Sequence, residues 1–239
     1  MDFNRAHLAI APLNVALNDA IERAVAATAE LPRPYLGASI AGDECLRKVQ
    51  FDWWCKPTLA ARTREIFARG HYFEQRARQH LIAVGFKFAP PEACAFSAAG
   101  GALRGHADGI IIAGPNLLGV YLIFPFVWEC KAVNAKNWRA LERDGLEKTF
   151  PRYAAQVALY QAYLDITNPA LFTAVNADTC ELLHFFVPFN PERAQAASDR
   201  AVMIIEATRA GGLLPRAYDD PEDWRCRICG HRKRCWGLT

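Results

Sequence analysis

A short apolar segment at residues 127–133, with the sequence VWECKAV, constrains most strongly how this chain can fold. Its composition predicts a β-strand, in which successive side chains point to opposite faces. Glu129 and Lys131 then share one face, and Trp128 and Cys130 share the other. A carboxylate and an ammonium on a buried strand are costly to desolvate, which points to a metal ion or a polyanion nearby. Taken alone, the pattern fits an ordinary ion pair at a strand end better, because three-residue patterns arise by chance in most chains.

Length and composition predict one globular domain. The chain has 239 residues, of which 52% are hydrophobic and 22% charged, and these proportions are typical of a folded domain rather than a disordered segment. No apolar run approaches the roughly 18 residues that a membrane-spanning helix requires. The N-terminus lacks the basic start, apolar block and cleavage site of a secretory signal. We therefore expect a cytoplasmic protein.

Basic residues are concentrated at the C-terminal end, although the net charge is only +3. They are Arg225, Arg227, His231, Arg232, Lys233 and Arg234. Such a tail fits contact with phosphate and fits a solvated, solubilising tail equally well. Charge alone does not choose between the two interpretations.

Hydrophobic periodicity predicts an α/β domain. Helical spacing is found at residues 8–29, 58–84, 153–164 and 191–209, and strand-like runs at 103–112, 120–133, 171–176 and 180–187. The polar segment 137–148 fits a loop or a short helix. This order predicts a mixed sheet with a helical N-terminal layer. We expect a single domain over residues 1–239, with the helical layer at 1–57, a core at 58–212 and a cysteine-rich tail at 213–239.

Three acidic residues lie on predicted helices and strands: Glu74 on a helix, Asp108 near the centre of one strand and Glu129 on another. If the two strands are neighbours, their carboxylates approach each other, and a divalent cation relieves the repulsion. Mg²⁺ or Mn²⁺ suits such oxygen ligands, and the backbone carbonyl of Cys130 is a further candidate. Lys131 would then orient or help to deprotonate a water molecule that attacks a phosphodiester.

Four motifs, in this order, resemble those of the PD-(D/E)xK nuclease superfamily, in its RecB-type and phage-exonuclease-like branch. They are Gly70-x-x-x-Glu74, Gly105-His106-Ala107-Asp108, Glu129-Cys130-Lys131 and Gln156-x-x-x-Tyr160. The resemblance implies a restriction-endonuclease-like α/β fold and metal-dependent cleavage of DNA. It also implies that Asp108 and Glu129 are metal ligands, together with Glu74, and that Lys131 is the catalytic lysine.

The fourth motif and its neighbour carry the predicted contacts with DNA. By the resemblance, Gln156 and Tyr160 lie beside the site and contact DNA. Arg152, on the same helix, would reach phosphate or belong to a solvated face. Iron-sulfur members of the branch often have a histidine where this chain has Glu74, and the carboxylate is similar to phage-type members.

The C-terminal cysteines predict a metal centre. Cys226, Cys229 and Cys235 supply three thiolates, and cysteines in a reducing compartment are not expected to form disulfides. The nuclease branch includes members with a similar arrangement, among them the CRISPR-associated adaptation nucleases and the AddB-type helicase-nuclease subunits. In these a 4Fe-4S cluster is held by one early and three C-terminal cysteines. The resemblance therefore implies Cys45 as the fourth ligand, so that the cluster ties the N-terminal helices to the tail.

Zinc is the alternative at the cysteine site, with His231 or Cys45 completing the set, because spacing alone does not separate four-thiolate zinc from iron-sulfur. We favour the cluster because of the resemblance. Cys55 is a less favoured fourth ligand. The remaining cysteines, Cys94, Cys130 and Cys180, are expected to be buried structural residues.

The resemblance implies a metal-dependent DNA exonuclease acting on single-stranded or end-processed DNA. Its expected partners are DNA and proteins of recombination, repair or CRISPR adaptation. Two alternatives stay open: an inactive, nuclease-like DNA-binding subunit that contains zinc or a cluster, and an endonuclease.

Overall fold

The computed structural model describes residues 6–27, 33–54 and 60–238, so Cys55 lies outside the described residues. The helices are α1 (Ala6–Ala27), α2 (Ala38–Ala41), α3 (Leu46–Trp54), α4 (Ala61–Val84), α5 (Ala135–Thr149), α6 (Pro151–Tyr163), α7 (Pro191–Arg209), α8 (Trp224–Arg227) and α9 (Arg232–Trp236). In the described part of the chain, no helix combines the length and apolarity needed to cross a bilayer.

The strands form two sheets. They are β1 (Leu36–Gly37), β2 (Lys87–Phe88), β3 (Ala95–Ala98), β4 (Leu103–His106), β5 (Gly109–Ala113), β6 (Phe126–Val133), β7 (Ala170–Asn176) and β8 (Leu182–Val187). The smaller sheet has the order β1-β4-β3 and the larger one β2-β5-β6-β7-β8. In the larger sheet β6 pairs parallel with β7, and the other neighbours are antiparallel. The predicted mixed α/β architecture with flanking helices is confirmed.

Strand β6 lies at the centre of the larger sheet and has a buried environment on both faces. Trp128 and Cys130 point into the apolar cluster beneath α4. Val127 and Val133 belong to the other cluster, together with residues of α6 and α7. The alternation of faces predicted for this segment is therefore confirmed.

Local signals explain where several helices begin and end. Asn134 and Asn190 accept hydrogen bonds from the first turns of α5 and α7, as N-cap side chains do. Pro151 begins α6, where its missing N–H costs nothing. Gly85 ends α4 with a φ of 110°, a conformation that glycine adopts without strain.

The sequence predicted one strand over residues 103–112, but the structure has two strands there. Strand β4 ends at His106 and β5 begins at Gly109 in the other sheet. The backbone N–H of Ala107 still donates to the carbonyl of Cys94 at 2.9 Å, in register with the pairing of β3 and β4, and the chain passes to the other sheet directly after it. Asp108 therefore lies in the turn between two sheets and not at a strand centre.

The N-terminal helical layer contacts the C-terminal tail directly. The amide of Gln50 on α3 donates to the carbonyl of Gly212 at 2.6 Å and accepts from the N–H of Leu214 at 3.0 Å. The ring of His231 lies 2.7 Å from Asp52, also on α3. These contacts hold the segment after α7 against α3.

Candidate functional site

Asp108 and Glu129 are brought together by the pairing of β5 with β6. Gly109 is opposite Trp128 in this antiparallel pair. The carboxylate of Asp108 accepts a hydrogen bond from the backbone N–H of Cys130 at 2.8 Å. The two strands are thus neighbours, although 20 residues separate Asp108 from Glu129.

The ammonium of Lys131 lies where three of the predicted ligand groups converge. It contacts Oε1 of Glu129, donates to the carbonyl oxygen of Cys130 at 3.2 Å and lies 3.7 Å from Oδ2 of Asp108. Across residues 6–27, 33–54 and 60–238, no three His, Cys, Asp or Glu side chains are arranged to hold a metal ion. The oxygens surround a cation that the protein supplies itself.

Burial and like charge both disfavour the ionised form of the carboxylates in this site. Burial raises the pKa of Glu129 to about 8, with a further contribution from the charge of Asp108. Burial followed by the charge of Asp108 also raises the pKa of Glu74. For Lys131, burial on its own would lower the pKa, but the charges of Glu129 and Asp108 outweigh it and the pKa is raised. Charges in this arrangement favour a further cation.

The donor set fits a hard divalent cation. Glu129 is completely buried, and its Oε2 has no hydrogen-bond partner among the described residues. Buried polar atoms without a partner often mark a water or an ion. The candidate ligands are all oxygens, which suits Mg²⁺ or Mn²⁺ better than zinc.

Glu74 reaches the site from α4, which packs against β6. Its Oε2 lies 3.6 Å from Nδ1 of His71, one turn earlier on the helix. The side chain of His71 is largely exposed, so this contact is open to solvent. Glu74 is therefore the most accessible of the three carboxylates, and Glu129 is the least.

Gln156 and Tyr160 on α6 support Glu129 from the other side of the sheet. The amide nitrogen of Gln156 donates to Oε1 of Glu129 at 2.7 Å and to the hydroxyl of Tyr160 at 3.0 Å. The two side chains are only 3% and 2% exposed. These hydrogen bonds orient Glu129, and contact of either residue with DNA stays a prediction.

Arg152 lies at the edge of the same helix and is partly exposed. Its guanidinium is 3.4 Å from Oδ2 of Asp43 and donates to the hydroxyl of Tyr153 at 3.3 Å. The ring of Tyr153 in turn lies 5.5 Å from the ammonium of Lys131. Contact of Arg152 with phosphate stays a prediction.

Arg78 lies one turn after Glu74 on α4 and was not predicted from the sequence as a site residue. Its Nη1 donates to the backbone carbonyl of Asp108 at 3.0 Å. The spacing of four residues from Glu74 on a helix places both side chains on one face and was the available signal.

Cys45 interacts electrostatically with Cys226 and with Cys229, although no three of the four predicted cluster thiols are arranged as metal ligands in the described part of the chain. Burial raises the pKa of Cys226 and of Cys229, and a charge on Cys45 would raise both further. Cys235 acts on Cys226 in the same way. All four are free thiols of intermediate exposure. The N-terminal layer therefore brings the thiol of Cys45 towards two thiols of the tail.

The imidazole ring of His231 contacts an acidic residue, whereas its backbone N–H interacts with the thiol of Cys229. Its Nε2 lies 2.7 Å from Oδ1 of Asp52, and the residue is 4% exposed. The ring also packs against Phe51 at a centroid distance of 5.5 Å. This nitrogen is therefore engaged in holding the tail against α3.

Outside the cluster set, two of the cysteine predictions are confirmed and one is wrong. Cys94 and Cys130 are buried. Cys180 is exposed, because it lies in the turn between β7 and β8 with a φ of 66°. The sequence placed Cys180 at the start of the following strand, whereas β8 begins only at Leu182.

Comparisons with known proteins show a likeness of fold. No family model matches the chain, and no curated protein matches it either. An alkaline exonuclease, LHK-Exo, from Laribacter hongkongensis has 13% sequence identity and a TM-score of 0.51, covering 74% of this chain and 89% of that chain. The same exonuclease in complex with dAMP has 14% identity, the same coverage and a TM-score of 0.51.

A further structure, of a protein designated SSO0001, covers 93% of this chain and 98% of that chain at 12% identity and a TM-score of 0.46. At the 13–14% identity of LHK-Exo the likeness concerns the fold alone. The chain thus has a mixed α/β fold resembling that of an alkaline exonuclease, in agreement with the nuclease fold that its motifs imply.

Proposed function

We propose that this protein is a Mg²⁺- or Mn²⁺-dependent deoxyribonuclease. The observation that carries the proposal is the convergence of Glu129, Asp108 and the Cys130 carbonyl on a single cation, the ammonium of Lys131. The fold similarity to an exonuclease supports it. That exonuclease has been seen with dAMP bound, which supports DNA as the substrate class.

Glu74, Asp108, Glu129 and the carbonyl oxygen of Cys130 would hold the metal. When bound, Mg²⁺ or Mn²⁺ supplies Lewis acidity to a phosphate oxygen and acidifies water at neutral pH. The protein orients two of these ligands before a metal binds. The N–H of Cys130 fixes the carboxylate of Asp108, and the amide of Gln156 fixes that of Glu129.

Lys131 acts as a charged group at the reacting centre. The charges of Glu129 and Asp108 raise its pKa against the effect of burial, which favours the protonated, hydrogen-bond-donating form. An ammonium at this position orients the attacking water and stabilises the negative charge that develops on the phosphate. Of the two roles that the sequence left open, we propose orientation of the water, since the ammonium donates to the carbonyl of Cys130 and contacts Glu129.

The substrate is proposed to be DNA with a free end, single-stranded or end-processed. Helix α5 begins directly after β6 and exposes Lys136 and Arg139. These side chains support contact with phosphates leading to the site, since cations contribute most of the non-specific affinity for DNA. A place in recombination, repair or CRISPR adaptation is proposed from the motif resemblance.

The activity is tested with labelled linear and closed circular DNA in Mg²⁺ or Mn²⁺. The wild type should degrade linear DNA from its ends, and Lys131→Ala and Glu129→Gln should lose this activity while staying folded. Lys87→Ala, which changes an exposed lysine on β2, is the matched control. Cleavage of closed circles would assign an endonuclease, and binding without cleavage would assign an inactive DNA-binding subunit.

We further propose a 4Fe-4S cluster held by Cys45, Cys226, Cys229 and Cys235. The electrostatic coupling of these thiols supports a shared site. Because Nε2 of His231 is engaged by Asp52, only its Nδ1 is left to bind a metal in the zinc alternative.

Protein purified without oxygen should be brown and contain iron and sulfide. Cys45→Ser should lose the iron, whereas Cys180→Ser, at an exposed cysteine outside the set, should keep it. A colourless protein with stoichiometric zinc would refute the cluster in favour of the zinc alternative.

A further inference from the structure

Arg78 connects the helix that carries Glu74 to the turn that carries Asp108. Its Nη1 donates to the backbone carbonyl of Asp108 at 3.0 Å. The guanidinium carbon lies 4.2 Å from the centre of the Phe88 ring. One side chain thus makes a hydrogen bond and a stacking contact at the edge of the candidate site.

The turn at Asp108 depends on such contacts because it lies between two sheets. Strands β4 and β5 on either side of it belong to different sheets. The following residue, Gly109, packs so closely that an added Cβ would lie 2.7 Å from the ring of Phe88 and 3.2 Å from that of Trp128. Phe88 therefore covers the turn, and Arg78 covers Phe88.

Asp108 is held at both ends. Its carboxylate accepts from the N–H of Cys130 at 2.8 Å, and its carbonyl accepts from Arg78. The first contact aims the carboxylate at the site. The second sets the distance of the turn from α4 and hence from Glu74.

An arginine is suited to this position in a way that a lysine is not. The planar guanidinium donates in its own plane while its face packs on an aromatic ring, whereas an ammonium is a compact point charge. Arg78→Lys therefore keeps the charge and removes the geometry. This separates positioning from electrostatics.

We propose that Arg78 is a positioning residue that holds Asp108 for binding of a divalent cation. The proposal rests on the proposed function and deepens it. Mutation of a group that orients a metal ligand typically weakens metal binding roughly 10- to 100-fold. In this role Arg78 acts on the metal through Asp108.

The test measures the affinity for Mn²⁺ by calorimetry or by electron paramagnetic resonance of free Mn²⁺, in wild type, Arg78→Lys and Asp108→Asn. Arg78→Lys should weaken Mn²⁺ binding by at least about tenfold. Its KM for DNA should stay within about twofold of wild type at saturating Mn²⁺, and saturation should restore most of kcat. Thermal unfolding reports whether the variant is folded.

Arg76→Lys is the matched control, because this exposed arginine on the same helix contacts Gln79 and not the site. It should bind Mn²⁺ like the wild type. Wild-type affinity in Arg78→Lys would overturn the positioning role alone, as would a raised KM for DNA at unchanged Mn²⁺ affinity, which would assign Arg78 to phosphate binding. A wild-type protein that binds no Mn²⁺ would overturn the proposed function and this role together.

Discussion

The ammonium of Lys131 contacts Oε1 of Glu129, two residues earlier on the same strand. The same nitrogen lies 3.7 Å from Oδ2 of Asp108. A cation of the protein itself thus partly neutralises two carboxylates that are proposed to hold a divalent ion. The lysine and the ion are therefore expected to compete for the same negative charge.

Lys131→Met removes the competing ammonium and should separate metal binding from activity. We expect cleavage of labelled DNA to fall by about 10²- to 10³-fold, as for the loss of one donor at a reacting centre. Calorimetry should show Mn²⁺ binding that is as tight as in the wild type or tighter. Mn²⁺ should also raise the unfolding temperature of the variant more than that of the wild type. Loss of Mn²⁺ binding would contradict this interpretation, and Lys87→Met is the control at an exposed lysine.

Gln156→Leu should destabilise the protein by removing a donor from a buried carboxylate. The amide of Gln156 donates to Glu129 at 2.7 Å. Leaving such a group less satisfied costs about 1–3 kcal/mol of unfolding free energy. Urea denaturation should show a lower midpoint for this variant and little change for Gln75→Leu, whose side chain is exposed on α4. Equal midpoints in the two variants would show that the hydrogen bond is not needed for stability.

Gly105→Ala and Gly70→Ala should change stability in opposite directions. A Cβ at Gly105 would clash with the ring of Phe96 and would lie 2.7 Å from Cε1 of Tyr160, so we expect a loss of about 1–3 kcal/mol. A Cβ at Gly70 meets no described atom within 4 Å, and alanine in mid-helix should stabilise by about 0.5–1 kcal/mol. Denaturant midpoints measure both effects. A destabilised Gly70→Ala variant would mean that this helix face is not open.

Asp52 should make the docking of the tail sensitive to acid. Burial on its own would raise the pKa of Asp52, but the hydrogen bond with His231 and the charge of Lys48 outweigh it, so the pKa is lowered from 3.8. A depressed folded pKa contributes stability above the ordinary value, and this stability is lost as the pH falls through the folded pKa.

The measurement compares the unfolding free energies of wild type and Asp52→Asn as the pH is lowered from about 6 to about 3. Near pH 6 the wild type should be more stable by about 1–3 kcal/mol, since the variant weakens two partly buried contacts. The difference should shrink below pH 3.8, where the carboxylate protonates. A difference in unfolding free energy that does not vary with pH would exclude Asp52 as the source of the acid sensitivity.

The central strand and its two faces follow from the sequence because a strand alternates side chains with a period of two. This local rule placed Glu129 and Lys131 together and Trp128 and Cys130 apart from them. The helices α4, α6 and α7 were likewise predicted from helical spacing, and their bounds differ from the predictions by a few residues.

Other features were not accessible from local patterns. The segment 137–148 is too polar to show an apolar stripe, yet it belongs to α5, whose N-cap Asn134 accepts from the N–H of Asn137. Asp108 was predicted near a strand centre, because the β-branched run after it is typical of a strand. Its true position in a turn depends on the carbonyl of Cys94 and the ring of Phe88, which are distant in sequence.

The order of the motifs and the chemistry of their side chains were thus determined by the sequence by itself. Which of these groups meet was decided only by the tertiary structure. Sheet pairing brought Asp108 to the N–H of Cys130, the packing of α4 placed Arg78 on the carbonyl of Asp108, and α6 brought Gln156 to Glu129. The reason is physical: hydrogen bonds and ion pairs between sequence-distant residues depend on distances that only the folded chain sets.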